Sequence, residues 1–250
     1  MATGVLAEVG EFCAIYQSYT LTNLPTVRVE ADEIWSYVGA KEKNKTQEGQ
    51  GDLWTYTGMC ADTKLIFSWL VGPRNVDSTH AFMHDMASRR ANRVQLTTDG
   101  LSWYQGAVEA AFGWNGCDFA PLQKKYGTAD GMPGRYGAPE VCIGAEKVTI
   151  FGNPDVTKVS TSYIERSNLT MRMNMRRFTR STNAFSKKAS NHAAAVDLHM
   201  MHYNYCRPHQ TLTASAKGIK TTPAMSAGLT NHVWSVEDLL LKMDPRTMLQ

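Results

Sequence analysis

The sequence predicts an α/β domain: a mixed five-stranded sheet flanked by helices, with a glycine-rich insertion ahead of a late acidic helix start. Three observations carry that reading. Short segments alternate apolar and polar residues with the period of strands, the segments between and after them show helical spacing, and the composition breaks between Gly113 and Ser160. A strand reached across a helix normally returns parallel to its neighbour, so three strands, a helix, a strand and a helix give a sheet that is part antiparallel and part parallel.

From Thr26, the apolar Val27, Val29 and Ala31 alternate with Arg28, Glu30 and Asp32, a half-buried strand ending near Trp35. Leu53 to Met59 and Leu65 to Val71 read as two further strands, joined by the hairpin turn Ala61-Asp62-Thr63-Lys64. Asp77-Ser78-Thr79 can cap a helix running to about Arg90, with Phe82, Met83 and Met86 on its apolar side. Val94, Leu96 and Thr98 return as a strand that Asp99-Gly100 ends, before a helix over about Ser102 to Phe112. The stretch from Gly113 to Ser160 holds eight of the 19 glycines and four of the nine prolines, and reads as an inserted lobe or a substrate-contacting flap. Ser162-Tyr163-Ile164-Glu165 opens a long helical stretch with Ile164, Met171, Met175 and Phe178 on one face. Asn191 to Tyr205 forms the next helix, stopped by Arg207-Pro208, and a capped helix follows Ser235. The expected organisation is a helical segment 1–25, a core in two parts (26–112 and 161–210), the insertion 113–160 and a helical tail 211–250.

No apolar stretch reaches the roughly 18 residues that cross a bilayer, so the expected protein is soluble and cytoplasmic, without a membrane partner. The five cysteines form no C-x-x-C pair, which argues against a disulfide framework or a zinc ribbon. A net charge of +3 says little about partners, but its distribution says more. Arg166, Arg172, Arg176, Arg177, Arg180, Lys187 and Lys188 follow one another with no acid among them, either a phosphate-binding surface or a solvated helix face.

Three acids attract attention: Asp32 late in the first strand, Asp99 just after the fourth, and Glu165 at the helix start beyond the insertion. In an open sheet, the carboxyl ends of adjacent parallel strands meet at one crevice, and a helix packed there can add a third acid. Such a cluster repels itself unless cations hold it, and hard oxygen ligands suit Mg²⁺ or Mn²⁺. Two such ions, about 3.5 to 4 Å apart, would activate a nucleophile and stabilise the leaving oxygen at a phosphodiester. Taken singly, Asp99 before Gly100 is also an ordinary strand exit, and Glu165 three residues after Ser162 fits a capping box. Asp32 and Glu33 are adjacent on an extended strand and point to opposite faces, so one of them, Asp32, is expected in the crevice.

The segments Ala31-Asp32-Glu33-Ile34-Trp35-Ser36-Tyr37-Val38-Gly39-Ala40-Lys41, Thr97-Thr98-Asp99-Gly100 and Tyr163-Ile164-Glu165-Arg166-Ser167-Asn168 resemble, in order, the three acidic motifs of the insertion-sequence-one family of bacterial transposases. The resemblance continues through Asn168 to Arg172 and Thr179 to Lys188 into Tyr203-Asn204-Tyr205-Cys206-Arg207-Pro208-His209. It implies a ribonuclease-H-like fold and a DDE catalytic and metal-binding triad at Asp32, Asp99 and Glu165. It further implies two Mg²⁺ ions, with Mn²⁺ able to substitute, binding of transposon-end and target double-stranded DNA, and a homo-oligomer. Arg172, two turns after Glu165 and on its face with Asn168 and Arg176, is expected to hold a phosphate beside the metals. Arg166, Arg177 and Arg180 are expected to reach more distant phosphates or solvent. Asp99 and Glu165 lie 66 residues apart (165 minus 99), as in the family's longer branch, and the insertion accounts for the length. Only about twenty-five residues precede the first strand, where the family usually carries an end-recognition module, so a truncated reading frame or a catalytic fragment is expected. Two alternatives stay open: a nuclease of the same fold that only hydrolyses, and an inactive DNA-binding relic.

Other motifs read as scaffold. His80 and His84 form no H-E-x-x-H motif, and His199 with His202 sits among Val196, Leu198 and Tyr203 as packing. Trp35, Trp54, Trp69 and Trp103 are expected in the core, whereas Trp114 could stack on an unpaired base.

Overall fold

The structure is a computed structural model and describes residues 2–128, 140–179 and 183–243. Helix α1 (Ala2–Thr20) leads into strand β1 (Arg28–Val38), then β2 (Gly51–Cys60), β3 (Ile66–Gly72), helix α2 (Val76–Arg89), β4 (Val94–Thr98), helix α3 (Trp103–Phe112) and β5 (Cys117–Phe119). These strands make one sheet in the order β3-β2-β1-β4-β5, antiparallel through β3, β2 and β1 and parallel from β1 through β4 to β5. The expected mixed five-stranded sheet is therefore present, with helices on both faces. Its fifth strand lies inside the stretch read as insertion, because three residues pairing at a sheet edge leave almost no periodic signal. What stands apart from that sheet is a hairpin of β6 (Leu122–Thr128) and β7 (Glu140–Lys147).

Alternation along β1 sorts the core onto two faces. Val29 and Ala31 pack with Tyr56, Leu96, Phe82 of α2 and Tyr104 and Val108 of α3. Ile34 faces the other way, joining Met59 and Ile66 to Ile164 and Met171 of α4 (Ser162–Asn174) and Val196 and Met200 of α5 (Ala189–Met201). Trp103 is a correction: it is 36% exposed at the start of α3, and its neighbour Tyr104 takes the buried position. Asn75, rather than Asp77 or Ser78, caps α2, accepting from the Ser78 amide at 2.9 Å.

The long helix expected from Ser162 is shorter than its apolar spacing suggests. It ends at Asn174, a residue whose side chain competes for backbone hydrogen bonds, and Met175 is extended (φ −121°, ψ 99°). A 3₁₀ turn, Arg176–Phe178, then returns Phe178 to the same apolar cluster. Arg176 and Arg177 consequently ride on that turn, not on the Glu165 face of α4. After α5 the chain widens into a π turn, His202–Cys206, and Arg207 leaves it extended, the conformation favoured before Pro208. Within that turn Asn204 acts as a surrogate strand for the edge of β3, accepting from the Ile66 amide at 3.1 Å and donating to the Ile66 carbonyl at 2.7 Å. Short helices α6 (Gln210–Ser215) and α7 (Pro223–Ser226) precede α8 (Val236–Met243), which Ser235 and Asp238 cap reciprocally. No helix among the described residues is long and apolar enough to cross a membrane.

The N-terminal segment is part of the core, since Cys13, Tyr16, Leu21 and Leu24 are buried in the larger cluster. α1 crosses α5 closely at Gly10, where an added Cβ would stand 2.5 Å from Ala194 Cβ and 2.6 Å from its Cα. Gly10→Ala would gain about 1 kcal/mol of helix propensity, whereas forcing backbone apart costs about 1–3 kcal/mol. The collision is expected to win, and urea unfolding should show Gly10→Ala less stable than wild type; a more stable variant would mean that the helices do not cross at Gly10.

Candidate active site

The crevice exists because β1 outruns β4. Their parallel ladder ends at the pair Ala31 and Thr98, so Asp32 and Glu33 on one strand and Asp99 on the other are the first residues past it. There the two faces of β1 open into one cavity of about 690 Å³, and both Asp32 and Glu33 line it. This corrects the expectation that one of them alone would enter: past the end of β4 the edge of β1 is unpaired on that side, so both faces of β1 border the same cavity. Carboxylate oxygens of Asp32, Glu33 and Asp99 all lie within 4.8 Å of one another.

Each of the three is held differently. Asp32 accepts from the Glu33 amide and from Asn168 Nδ2, both at 2.9 Å. Glu33, buried, accepts from Arg74 Nε at 2.8 Å and Nη2 at 2.5 Å, and from the Tyr104 hydroxyl at 2.8 Å. Asp99 accepts from a turn amide, Leu101, at 3.1 Å. Burial, then the charges of Glu33 and Asp99, pushes Asp32 up to about 7, and burial with Glu33 pushes Asp99 up to about 6. Glu33 has its guanidinium, so the strain falls on the other two.

Glu165 stands on the wall of the same cavity, on α4, with Asn168 and Arg172 beside it. Its carboxylate is not one of the gathered trio, where Glu33 takes the third place. Glu165 instead accepts from Lys124 Nζ of β6 at 2.5 Å and from the Thr161 hydroxyl. The expected capping box does not form: Ser162 is already the first residue of α4, Thr161 is the N-cap, and its hydroxyl donates to the Glu165 carboxylate instead of accepting from a backbone amide.

The basic residues divide. Arg172 faces the acidic cavity, as expected, but Arg176 does not, because the helix has already ended. Arg166 lines a separate cavity behind α4, and Arg176 and Arg177 line a third. Arg177 is tied to Ser186 Oγ and the Asn191 carbonyl. Lys187 and Lys188 are exposed just before α5, and Arg180 lies outside the described residues. Trp114 is 67% exposed, with its ring tilted against Phe151 at 5.7 Å between centroids.

Several contributors leave little trace in the sequence. Glu30, two residues before Asp32 and on its face of β1, accepts from the Tyr163 and Ile164 amides, both at 2.9 Å. A buried carboxylate thus caps α4 from the sheet and fixes where that helix starts. Its position at i−2 to Asp32 was the available signal; Arg74, Tyr104 and Lys124 offer none, because only the folded chain brings them to the acids.

The donor set fits a hard divalent cation. All candidate ligands among the described residues are oxygens, burial pushes Asp32 and Asp99 up although Arg74 and Lys124 offset part of it at Asp99, and the buried Oδ1 of Asn168, beside Asp32, has no hydrogen-bond partner. No family model matches this sequence, and no curated protein matches it. Among solved structures, a crystal structure of A. aeolicus Argonaute is similar at 10% identity and a TM-score of 0.28, over 72% of this chain and 29% of that one.

Two predictions follow from the electrostatics. Because Asp32 and Asp99 ionise later in the folded than in the unfolded chain, the metal-free fold should lose stability as pH rises from about 4 to 7. Asp99→Asn should therefore melt higher than wild type at pH 8 without metal, yet lose the rise in Tm that Mn²⁺ gives wild type; an unchanged Mn²⁺ response would place the ion elsewhere. Lys124 competes with any cation for Glu165, so Lys124→Met should strengthen Mn²⁺ binding by calorimetry, and a weakened binding constant would contradict the competition.

Proposed function

We propose that this protein is a divalent-metal-dependent polynucleotidyl transferase of ribonuclease-H-like fold, a DDE-type transposase core that cleaves DNA and joins ends to target DNA. The observation that carries the reading is the meeting of Asp32, Glu33 and Asp99 just past the end of the parallel ladder between β1 and β4, with Glu165 and Arg172 on the wall. The order β3-β2-β1-β4-β5, with β2 antiparallel, supports the fold assignment. The three motifs that resemble the insertion-sequence-one transposases fall around one cavity, which supports the assignment of chemistry.

Asp32 and Asp99 would hold Mg²⁺ or Mn²⁺, with Asn168 Oδ1 and Glu165 as further oxygen donors. When bound, such an ion supplies Lewis acidity at the attacking and leaving oxygens. The protein's own contribution is placement. Asn168 fixes the Asp32 carboxylate by donating Nδ2, and Arg74 with Tyr104 locks Glu33 as a stationary anion. Arg172 offers a guanidinium to a non-bridging phosphate oxygen, neutralising charge that grows during in-line attack. In the reaction, water or a DNA 3′-hydroxyl gives up its proton to solvent as its oxygen bonds to phosphorus. The opposite P–O bond breaks, and the departing oxygen takes a proton from solvent.

A homo-oligomer is part of this proposal, because joining two element ends requires two such centres. Incubating duplex DNA with Mn²⁺ should give strand cleavage by wild type and a loss of about 100-fold or more in Asp99→Asn. A labelled pre-cleaved 3′ end should also become joined to plasmid DNA. Cleavage without joining would reduce the protein to a hydrolytic nuclease, and equal background turnover from both proteins would leave a DNA-binding relic.

A further inference from the structure

Helix α4 parts two unlike surfaces. Glu165, Asn168 and Arg172 face the acidic cavity, whereas Tyr163, Arg166 and Thr170 line a recess of about 310 Å³ on the other side of the helix. Lys64 and, just past the π turn, Arg207 and His209 also line that recess, and among the described residues no carboxylate does. A second, broader cavity of about 790 Å³ shares Arg207 and adds Arg176, Arg177 and His202, again with no carboxylate among the described residues. Arg207 therefore joins two cationic depressions into one track.

The geometry is that of a site more than of a solvated helix face. Lys64 is only 6% exposed, and its ammonium rests 3.1 Å from the centre of the Tyr163 ring and donates to the Ala61 carbonyl. Glu30 and Asp62 offset part of its charge from outside the recess. Burying an ammonium is costly unless its charge is compensated, and the charged side chains that line the recess beside Lys64, those of Arg166 and Arg207, are both cations. Among the described residues neither Arg166 nor Arg207 has an ion-pair partner, so both guanidiniums are available to a ligand. The π turn that presents Arg207 is a rare form of backbone that recurs at functional sites.

We propose that the recess of Lys64, Arg166, Arg207 and His209 seats a backbone phosphate, and that the track through Arg207 to Arg176 and Arg177 carries its neighbours on a second DNA segment. Two joined depressions suit successive phosphates of one polyanion better than a single small anion. The choice of DNA over another polyanion rests on the function proposed above; the existence of the track does not.

The test is binding without catalysis: fluorescence anisotropy of a labelled 30-base-pair duplex in EDTA, at several KCl concentrations. Arg166→Gln/Arg207→Gln should bind at least about tenfold more weakly at 0.1 M salt, with the slope of log K against log salt shallower by about 2. Arg166→Lys/Arg207→Lys should restore most of both, and the Mn²⁺-induced rise in Tm should be the same in all three proteins. Unchanged affinity and slope in the glutamine variant would overturn the proposal. So would loss of inorganic phosphate binding with duplex binding intact, which would leave a small-anion site. The enzyme reading fails separately: if Asp99→Asn matches wild type in cleavage while the glutamine variant still loses DNA, the track stands and the catalytic assignment does not.

Discussion

Mutual repulsion among carboxylates at the end of a parallel strand pair is the constraint around which this protein is arranged. Negative groups gathered in a partly dry crevice would drive one another to protonate or the strands to part, unless something positive is supplied. The fold supplies part of it. Arg74 and the Tyr104 hydroxyl satisfy Glu33 directly, while burial drives Asp32 and Asp99 up even though Arg74 and Lys124 offset part of it at Asp99. The imbalance is local and specific to two residues, which is what a cation site needs and what a purely structural acidic cluster avoids.

The remaining architecture serves that crevice. β1 is long because it must pair with β2 along its length and still project beyond β4. Glu30 anchors the start of α4 to β1, and the same helix then delivers Asn168 to Asp32, with Glu165 and Arg172 onto the cavity wall. The hairpin adds Lys124, an internal counter-ion for Glu165. Behind α4, Lys64, Arg166 and Arg207 make a surface of opposite character, so one helix of thirteen residues separates an acidic cavity from a basic recess.

Much of the sheet was legible because its strands alternate cleanly and its turns carry their usual residues. β4 occupies the segment expected from Val94, Leu96 and Thr98, and Asp99-Gly100 marks its end. The short β5 was not legible, since three residues at an edge cannot show a period and they sit in glycine-rich surroundings. The spacing of Ile164, Met171, Met175 and Phe178 correctly named a buried face but overran the helix, because a 3₁₀ turn can bring Phe178 back to the cluster that an unbroken helix would also reach. At the site, Asp32, Asp99, Glu165, Asn168 and Arg172 were readable from motif and spacing. Glu33, Arg74, Tyr104 and Lys124 were not, because their roles depend on how strand ends, a loop, a helix and a hairpin converge in space.

The central claim, that Asp32 and Asp99 share a divalent ion, is tested most directly by anomalous diffraction from crystals soaked in Mn²⁺. A peak between those two carboxylates, lost in crystals of Asp32→Asn, is the result expected. Clear density for the surrounding side chains at saturating Mn²⁺, with no peak in the crevice, would contradict it.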